Sequence, residues 1–359
     1  MRVVVPCGQK KTYTALCVEV TDQKPNIGVK NIKCIYSVLD DMPMLLPQQL
    51  KLWQWMADYY MCPLGDIYKA ALPAGLKAED GYRPKTETHV GLTEKFHDEM
   101  ALNIALDMVS RYEKQKKALA GYLELSHWAE ISGTNIPDDI KEITQTELCN
   151  VTHCTTPTVK SLVKRGILEI YQKEVGRLNT DGEFTPQNAK LLNEAQQEAY
   201  NQVLMQFLKK NVVLLHGVTS SGKTEIYIHL ILKALQDHKQ VLFLLPEIAL
   251  TVQIMERLQR VFGSRLGIYH SKYSDAERVE IWKKLVSACP YDIIIGARSA
   301  ALLPFKNLGL VIIDEEHETS YKQQDPAPRY HARSAAIMLA SMYGAKTLLG
   351  SATPCMETY

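Results

Sequence analysis

Gly217-Val218-Thr219-Ser220-Ser221-Gly222-Lys223-Thr224 follows the apolar run Val212-Val213-Leu214-Leu215 and precedes a helix-compatible stretch over 225–235. A glycine-bearing turn between a buried strand and a helix is how a phosphate-binding loop is built, and that placement separates it from an ordinary Gly-Ser turn. Gly217 and Gly222 let the backbone curl until its N–H groups surround the β- and γ-phosphates of a nucleotide. Lys223 adds a point charge at those phosphates, and the Thr224 hydroxyl is a ligand for Mg²⁺.

Around this loop, residues 190–359 alternate short β-rich runs with helical patterns, the runs being 211–215, 241–245, 266–269, 292–296, 310–313 and 346–349. Continuous apolar strands separated by helices predict a parallel sheet covered on both faces, with nucleotide at the carboxyl ends of the strands. Leu310-Val311-Ile312-Ile313 runs into Asp314-Glu315-Glu316-His317. The strand tip puts Asp314 where it can hold Mg²⁺ with Thr224, and Glu315 beside the water that attacks the γ-phosphate. Lys223, Asp314 and Glu315 are therefore the catalytic candidates.

Upstream, residues 1–108 open with strand-like pieces at 3–5, 14–20 and 32–38 and continue into a helical pattern over 50–60. Its Trp53, Trp55, Tyr59 and Tyr60 could stack on bases or, beside Leu52 and Met56, fill a core. Residues 109–176 read as helices at 116–128, from 146 and at 157–165, then a strand at 167–171. The third helix carries Val159, Leu162 and Val163 on one side and Lys160, Lys164 and Arg165 on the other. That order is a winged helix, whose basic helix either lies on phosphates or in a groove, or is the solvated face of a protein-docking module. Residues 177–189 read as a linker.

A chain of 359 residues accommodates two or three domains. With 41 Lys and Arg against 40 Asp and Glu, the net charge of +1 is no signature of nucleic-acid binding, so local clusters must carry that reading. Eight cysteines without a Cys-x-x-Cys pair predict reduced thiols rather than a zinc site or a disulfide framework. No run approaches a membrane span and no signal-peptide core is present, so a cytoplasmic protein without a membrane partner is expected.

Asp314-Glu315-Glu316-His317, with Pro246-Glu247-Ile248-Ala249-Leu250-Thr251 before it and Gly350-Ser351-Ala352-Thr353-Pro354 after it, resembles the superfamily 2 helicase motifs. More narrowly, Gly296-Ala297-Arg298-Ser299-Ala300 and the stretch 320–333 resemble the PriA (primosomal protein N′) family of bacterial replication-restart helicases. So do Ala57-Asp58-Tyr59-Tyr60, Pro63-Leu64-Gly65-Asp66 and Ala71-Leu72-Pro73. The resemblance covers nearly the whole chain, most densely after 190. It implies a multidomain α/β fold of a small β-rich DNA-binding domain (1–108), a winged helix (109–176), the linker (177–189) and a RecA-like parallel-sheet P-loop lobe (190–359).

By the same resemblance, the function is ATP-dependent 3′→5′ translocation on single-stranded DNA, binding of stalled or D-loop forks, and the start of primosome assembly. The implied partners are DNA forks, primosome proteins, single-strand-binding protein and the replicative helicase loader; the cofactors are ATP and Mg²⁺. Gln196 matches an adenine-reading glutamine, although a glutamine at a helix start reads the same way. Thr251, Arg298 and Ser299 match DNA-backbone contacts, and Gly8 and Lys33 match a pocket for the 3′ end of the nascent strand. Ser351, Thr353 and His317 match the coupling of hydrolysis to DNA. In the loop 321–333, Lys322, Arg329 and Arg333 offer phosphate contacts, while Tyr321 and Tyr330 offer stacking. Its prolines predict an irregular loop.

Two departures from the family pattern stand out. About thirty family residues have no counterpart before Val4, and Cys7 stands where the family usually has Phe, so the 3′-end pocket is expected to be incomplete. The chain stops soon after Thr353, so a second motor lobe, its arginine finger and the family's zinc-binding cysteines are expected to be missing, with slow turnover as the consequence. A DNA-binding scaffold that uses ATP only as a switch is the competing reading of another class. A different superfamily 2 translocase is a third.

Overall fold

The computed structural model describes residues 1–7, 11–23, 32–77, 82, 84–128, 141–174, 182–218, 221–249, 252–270 and 272–358. Strands β1 (Arg2–Cys7), β2 (Lys11–Leu16) and β3 (Ser37–Val38) form an antiparallel sheet in the order β2-β1-β3. The strand expected over 14–20 ends at Leu16, and Val18 and Val20 beyond it are exposed. Helix α1 (Pro47–Tyr59) begins on a proline, whose fixed φ suits a first helical turn. Helices α2 (Leu64–Ala71) and α3 (Ala74–Lys77) follow.

Pro84–Arg177 is a compact unit of its own. It contains β4 (Thr86–Leu92), α4 (Glu99–Val109), α5 (Glu113–Leu125), β5 (Ile143–Thr144), α6 (Gln145–Thr152), α7 (Thr156–Lys164) and β6 (Leu168–Glu174). The Thr144 hydroxyl caps α6 by accepting the Glu147 N–H at 3.1 Å, and left-handed His153 (φ 52°) ends that helix. Val159 and Leu162 of α7 are buried while Lys160 and Lys164 face outward. The expected boundary at 108 does not coincide with this division. Strand β4 pairs with β6 from Thr86↔Glu174 to Leu92↔Leu168, so a segment upstream of that boundary belongs to the winged-helix sheet. Along β4 the alternating positions are Thr86, Thr88, Val90 and Leu92, of which only Val90 and Leu92 are apolar and buried, so its strand signal is short.

The other unit joins Met1–Arg83 to Leu178–Tyr359. Its later part runs α8 (Glu194–Lys209), β7 (Val212–His216), α9 (Lys223–Gln236), β8 (Gln240–Leu244), α10 (Val252–Phe262), β9 (Leu266–Tyr269), α11 (Asp275–Val286), β10 (Ile293–Gly296), β11 (Leu308–Ile313), α12 (Ala332–Tyr343) and β12 (Lys346–Ser351). The six strands form one parallel sheet in the order β7-β12-β11-β8-β10-β9. Alternation along the strands divides the core. Phe243, Ile295 and Ile312 pack with Ile231 of α9 and Phe262 of α10 on one face. Leu242, Ile294 and Val311 pack with Trp282 of α11 and Leu339 of α12 on the other.

Leu52, Trp53 and Met56 of α1 and Ile67 of α2 lie in that second core. The helices of the expected N-terminal domain are thus part of the motor layer, and Trp282 Nε1 donates to the Met44 carbonyl at 2.8 Å across this junction. Their apolar stripes demanded burial without naming the partner. No described helix is long and apolar enough to cross a membrane.

Candidate functional site

Because β12 lies between β7 and β11, the carboxyl ends of these three strands are neighbours. The loop after β7, the acidic run after β11 and the end of β12 are consequently held by one set of backbone hydrogen bonds. Gly217 N–H donates to the Ser351 carbonyl at 3.0 Å, Glu316 N–H to Gly350 at 3.1 Å and Asp314 N–H to Leu244 at 3.0 Å.

Lys223, the first residue of α9, is 8% exposed. Its Nζ donates to the Gly217 carbonyl at 2.8 Å and lies 3.6 Å from a Glu315 carboxylate oxygen. Gly222 has φ +81°, and a Cβ there would lie 2.2 Å from Gln196 Nε2. Thr224 follows in the first turn and is half-buried. Gln196 does both things its position allows. Its Oε1 accepts the Asn193 N–H at 3.0 Å in a capping box, and its Nε2 reaches the carbonyls of Ser221 and Gly222 at 3.4 and 3.5 Å. Thr219 and Ser220 lie outside the described residues.

The Asp314 carboxylate accepts the Tyr227 hydroxyl at 2.8 Å, and the Asp314 carbonyl accepts the Tyr321 hydroxyl at 2.7 Å. A Cβ on Gly350 would sit 1.8 Å from that Tyr227 hydroxyl, so the approach requires glycine. Burial, with the neighbouring Glu315 charge, raises the Asp314 carboxyl above its usual range despite the Tyr227 hydrogen bond. Burial also lifts the Tyr227 and Tyr321 phenols well above theirs. Glu315 has φ +44°, an uncommon conformation for a side-chain-bearing residue, at the turn that aims it at Lys223. His317 Nδ1 and Ser351 Oγ share a hydrogen bond of 2.7 Å, and His317 Nε2 lies 3.3 Å from Thr353 Oγ1.

A raised folded-state carboxyl pKa carries a definite sign. The contribution of Asp314 to stability is present below its unfolded value and lost as pH rises through the folded value, so above that range the buried acid weakens the lobe. Asp314→Asn, which keeps an acceptor for Tyr227, is expected to melt at or above the wild-type temperature at pH 7 in a thermal scan. A clear drop would show that the carboxylate is stabilising.

The expected nucleic-acid residues divide by geometry. Arg298 Nη1 donates to the carbonyls of Ser320 and Lys322 at 3.4 and 3.2 Å, and Ser299 beside it lines a cleft of about 430 Å³ with Asp66, Lys69, Glu247 and Gln323. Arg329 is exposed and pairs with Asp325 at 3.2 Å, while Lys322 donates to the Arg329 carbonyl. Lys33, Lys160 and Lys164 are exposed. Gly8 and Thr251 lie outside the described residues.

Three assignments require correction. Tyr321 and Tyr330 are each 1% exposed, their rings forming core rather than a stacking platform. Arg333 donates to fully buried Glu316 and is not presented to a phosphate. Arg165, half-exposed after α7, lies over the Tyr112 ring at 4.4 Å and donates to the Met108 carbonyl at 3.2 Å. Of the four N-terminal aromatics, Trp53 is core, Tyr60 is half-buried, and Trp55 stacks on exposed Tyr59 at 4.8 Å.

Sequence reasoning missed Tyr227 and Glu316. Tyr227 stands four residues after Lys223, on the same helical face, and that spacing could have found it. Glu316, among three consecutive acids, carried no such mark.

A family model of the 3′ DNA-binding domain of PriA matches residues 1–73, one of the winged helix domain of PriA helicase from Bacteroidota matches 87–175, and one of DEAD/DEAH box helicases matches 193–359. The replication restart protein PriA of Bacillus subtilis is 32% identical over 100% of this chain and 50% of its own length. That of Haemophilus influenzae is 33% identical over 100% of this chain and 46% of its own. The chain therefore spans about half the length of the curated relatives it matches. Among solved structures, a Sulfolobus solfataricus SWI2/SNF2 ATPase core in complex with dsDNA aligns with a TM-score of 0.32 at 17% identity, over 48% of this chain and 34% of that one. With three family segments in order along its length and relatives of one name across all of it, the chain belongs to the PriA family and corresponds to the N-terminal part of its members.

Proposed function

We propose that the chain is the DNA-binding and nucleotide-binding part of an ATP-dependent replication-restart helicase. The observation that carries this reading is the convergence of Lys223, Asp314, Glu315, His317 and Ser351 at three adjacent strand ends. Buried Lys223, folded over its own loop, fits a cradle for phosphates, and Thr224 with Asp314 would hold Mg²⁺ there. Bound Mg·ATP supplies the phosphoanhydride bond whose cleavage drives movement. Lys223 then neutralises phosphate charge, Glu315 orients water, and the contact of His317 with Ser351 and Thr353 links the acidic run to the end of the lobe.

The DNA surface in this reading comprises Lys33, Lys160, Lys164 and Arg165 with Arg298, Ser299, Lys322 and Arg329. Gly8, Thr251, Gln196 as adenine reader, 3′→5′ polarity, fork recognition, primosome assembly with its partner proteins and a cytoplasmic site of action belong to the same proposal. They are supported by the family match.

Phosphate release is expected to rise when single-stranded oligo(dT) is added. Release that stays flat across a DNA titration would overturn the motor reading and favour a scaffold using ATP as a switch. Because the basic residues occur in small sets, log affinity for DNA should fall linearly with log salt, by roughly 0.7–0.9 per phosphate contact. Charge reversal at Lys160 and Lys164 should flatten that slope by about two contacts' worth. An unchanged slope would remove α7 from the DNA surface.

A further inference from the structure

Helix α1 grips two separate segments of the motor lobe. Near its start, buried Gln49 donates through Nε2 to the Leu302 carbonyl at 2.8 Å, at the end of the short turn Arg298–Leu302. Just past its other end, the Tyr60 hydroxyl accepts the His331 N–H at 3.1 Å. His331 forms an isolated antiparallel bridge with Lys322, which closes the neck of the 323–330 loop, and Lys322 Nζ lies 5.6 Å from the Tyr60 ring. Between these grips, Leu52, Trp53 and Met56 share a core with Ala300, Tyr321 and Tyr330.

The two gripped segments are themselves tied together and to the nucleotide site. Arg298 donates to the Lys322 carbonyl, and Tyr330 donates to the Arg298 carbonyl at 3.4 Å. Inside the loop, Gln323 Nε2 donates to the carbonyls of Pro326 and Pro328 at 2.8 and 2.9 Å, so the loop is braced across its own width. One step back along the chain, Tyr321 holds the Asp314 carbonyl. A path of direct contacts therefore leads from α1 through the loop neck to the residue that would hold Mg²⁺.

We propose that α1 is a splint, with Gln49 and Tyr60 as positioning residues that keep the 298–302 and 322–331 segments in the register through which nucleic-acid contact is felt at the nucleotide site. This rests on the function proposed above. Gln49 and Tyr60 bond to Leu302 and His331 rather than to the phosphate loop or the acidic run, so their loss should alter communication between the two ligands rather than the binding of either.

The test measures the affinity of the whole chain for Mg·AMP-PNP with and without saturating oligo(dT). Wild type is expected to show a coupling factor of about 5–150-fold. Gln49→Leu combined with Tyr60→Phe should bring that factor to about one, with each ligand alone bound within about twofold of wild type. Val261→Ala, on the opposite face of the sheet, should lower the melting temperature and leave the factor unchanged, which separates positioning from loss of stability. A folded double variant with wild-type coupling overturns the splint. So does a wild type that binds both ligands without coupling. A wild type that binds no nucleotide overturns the proposed function, and the splint with it. Should the double variant fail to fold, Tyr60→Phe alone decides: a factor reduced to about half or less supports the splint, and an unchanged one overturns it.

Discussion

Lys223→Ala is expected to weaken Mg·ATP binding by about 10–100-fold while leaving the lobe folded. The ammonium is almost fully buried, first in α9, and its present partners are a loop carbonyl and the Glu315 carboxylate. Hydrogen bonds to charged groups contribute about 1.5–3 kcal/mol, and each 1.4 kcal/mol is about tenfold in affinity. Removing the cation leaves Glu315 beside Asp314 with nothing between their charges and an arriving polyphosphate. Glu315 is partly exposed and can rehydrate, so the accompanying loss of stability should stay small. Isothermal calorimetry at fixed Mg²⁺, with a thermal scan of both proteins, checks both halves. Equal affinities would remove the phosphate-binding assignment, whereas a collapsed melting transition would make Lys223 a structural residue instead.

The parallel sheet was legible because strands buried on both faces read as uninterrupted apolar runs. The expected runs at 266–269 and 310–313 fall within or on β9 and β11. The phosphate loop was legible for a related reason, since Gly222, Lys223 and Thr224 stand at one strand-to-helix corner. Strand order was not legible. Nothing local in Lys346–Ser351 says that this strand inserts between β7 and β11, yet that insertion is what brings Ser351 to Gly217 and His317.

The loop 321–333 misled for a complementary reason. Tyrosines interleaved with Lys and Arg have one sequence signature whether their rings face solvent or the core. Both rings lie in a core to which α1 contributes, a segment more than two hundred residues earlier. The division at Pro84 rather than 108 was hidden on the same ground, because the apolar signal of β4 is confined to Val90 and Leu92 and its partner β6 lies some eighty residues later.

Glu316 provides the sharpest contrast with its two acidic neighbours, and its replacement by alanine is expected to cost the lobe about 3–5 kcal/mol. The carboxylate is fully buried and receives Arg333, the Cys355 N–H at 2.9 Å and the Thr358 hydroxyl at 2.9 Å. It therefore fastens α12 and the segment after β12 to the turn after β11. Burial opposes its ionisation, but the Cys355 amide, Arg333 and the Thr358 hydroxyl together hold the carboxyl below its ordinary range. A depressed folded-state pKa gives stability that is present above the unfolded value and lost as pH falls through the folded one. Wild type should accordingly lose this contribution only in acid, below about the ordinary glutamate pKa. Glu316→Gln, which cannot ionise, should show a shallower acid limb in urea denaturation.

Alanine at 316 leaves the Arg333 guanidinium largely buried without its carboxylate, and that stranded charge accounts for most of the cost. Glu316→Ala combined with Arg333→Ala should then be less damaging than the sum of the two single changes, with a coupling of about 1–3 kcal/mol. Strictly additive losses would show instead that Glu316 acts through Cys355 and Thr358 alone and that Arg333 is free to serve elsewhere.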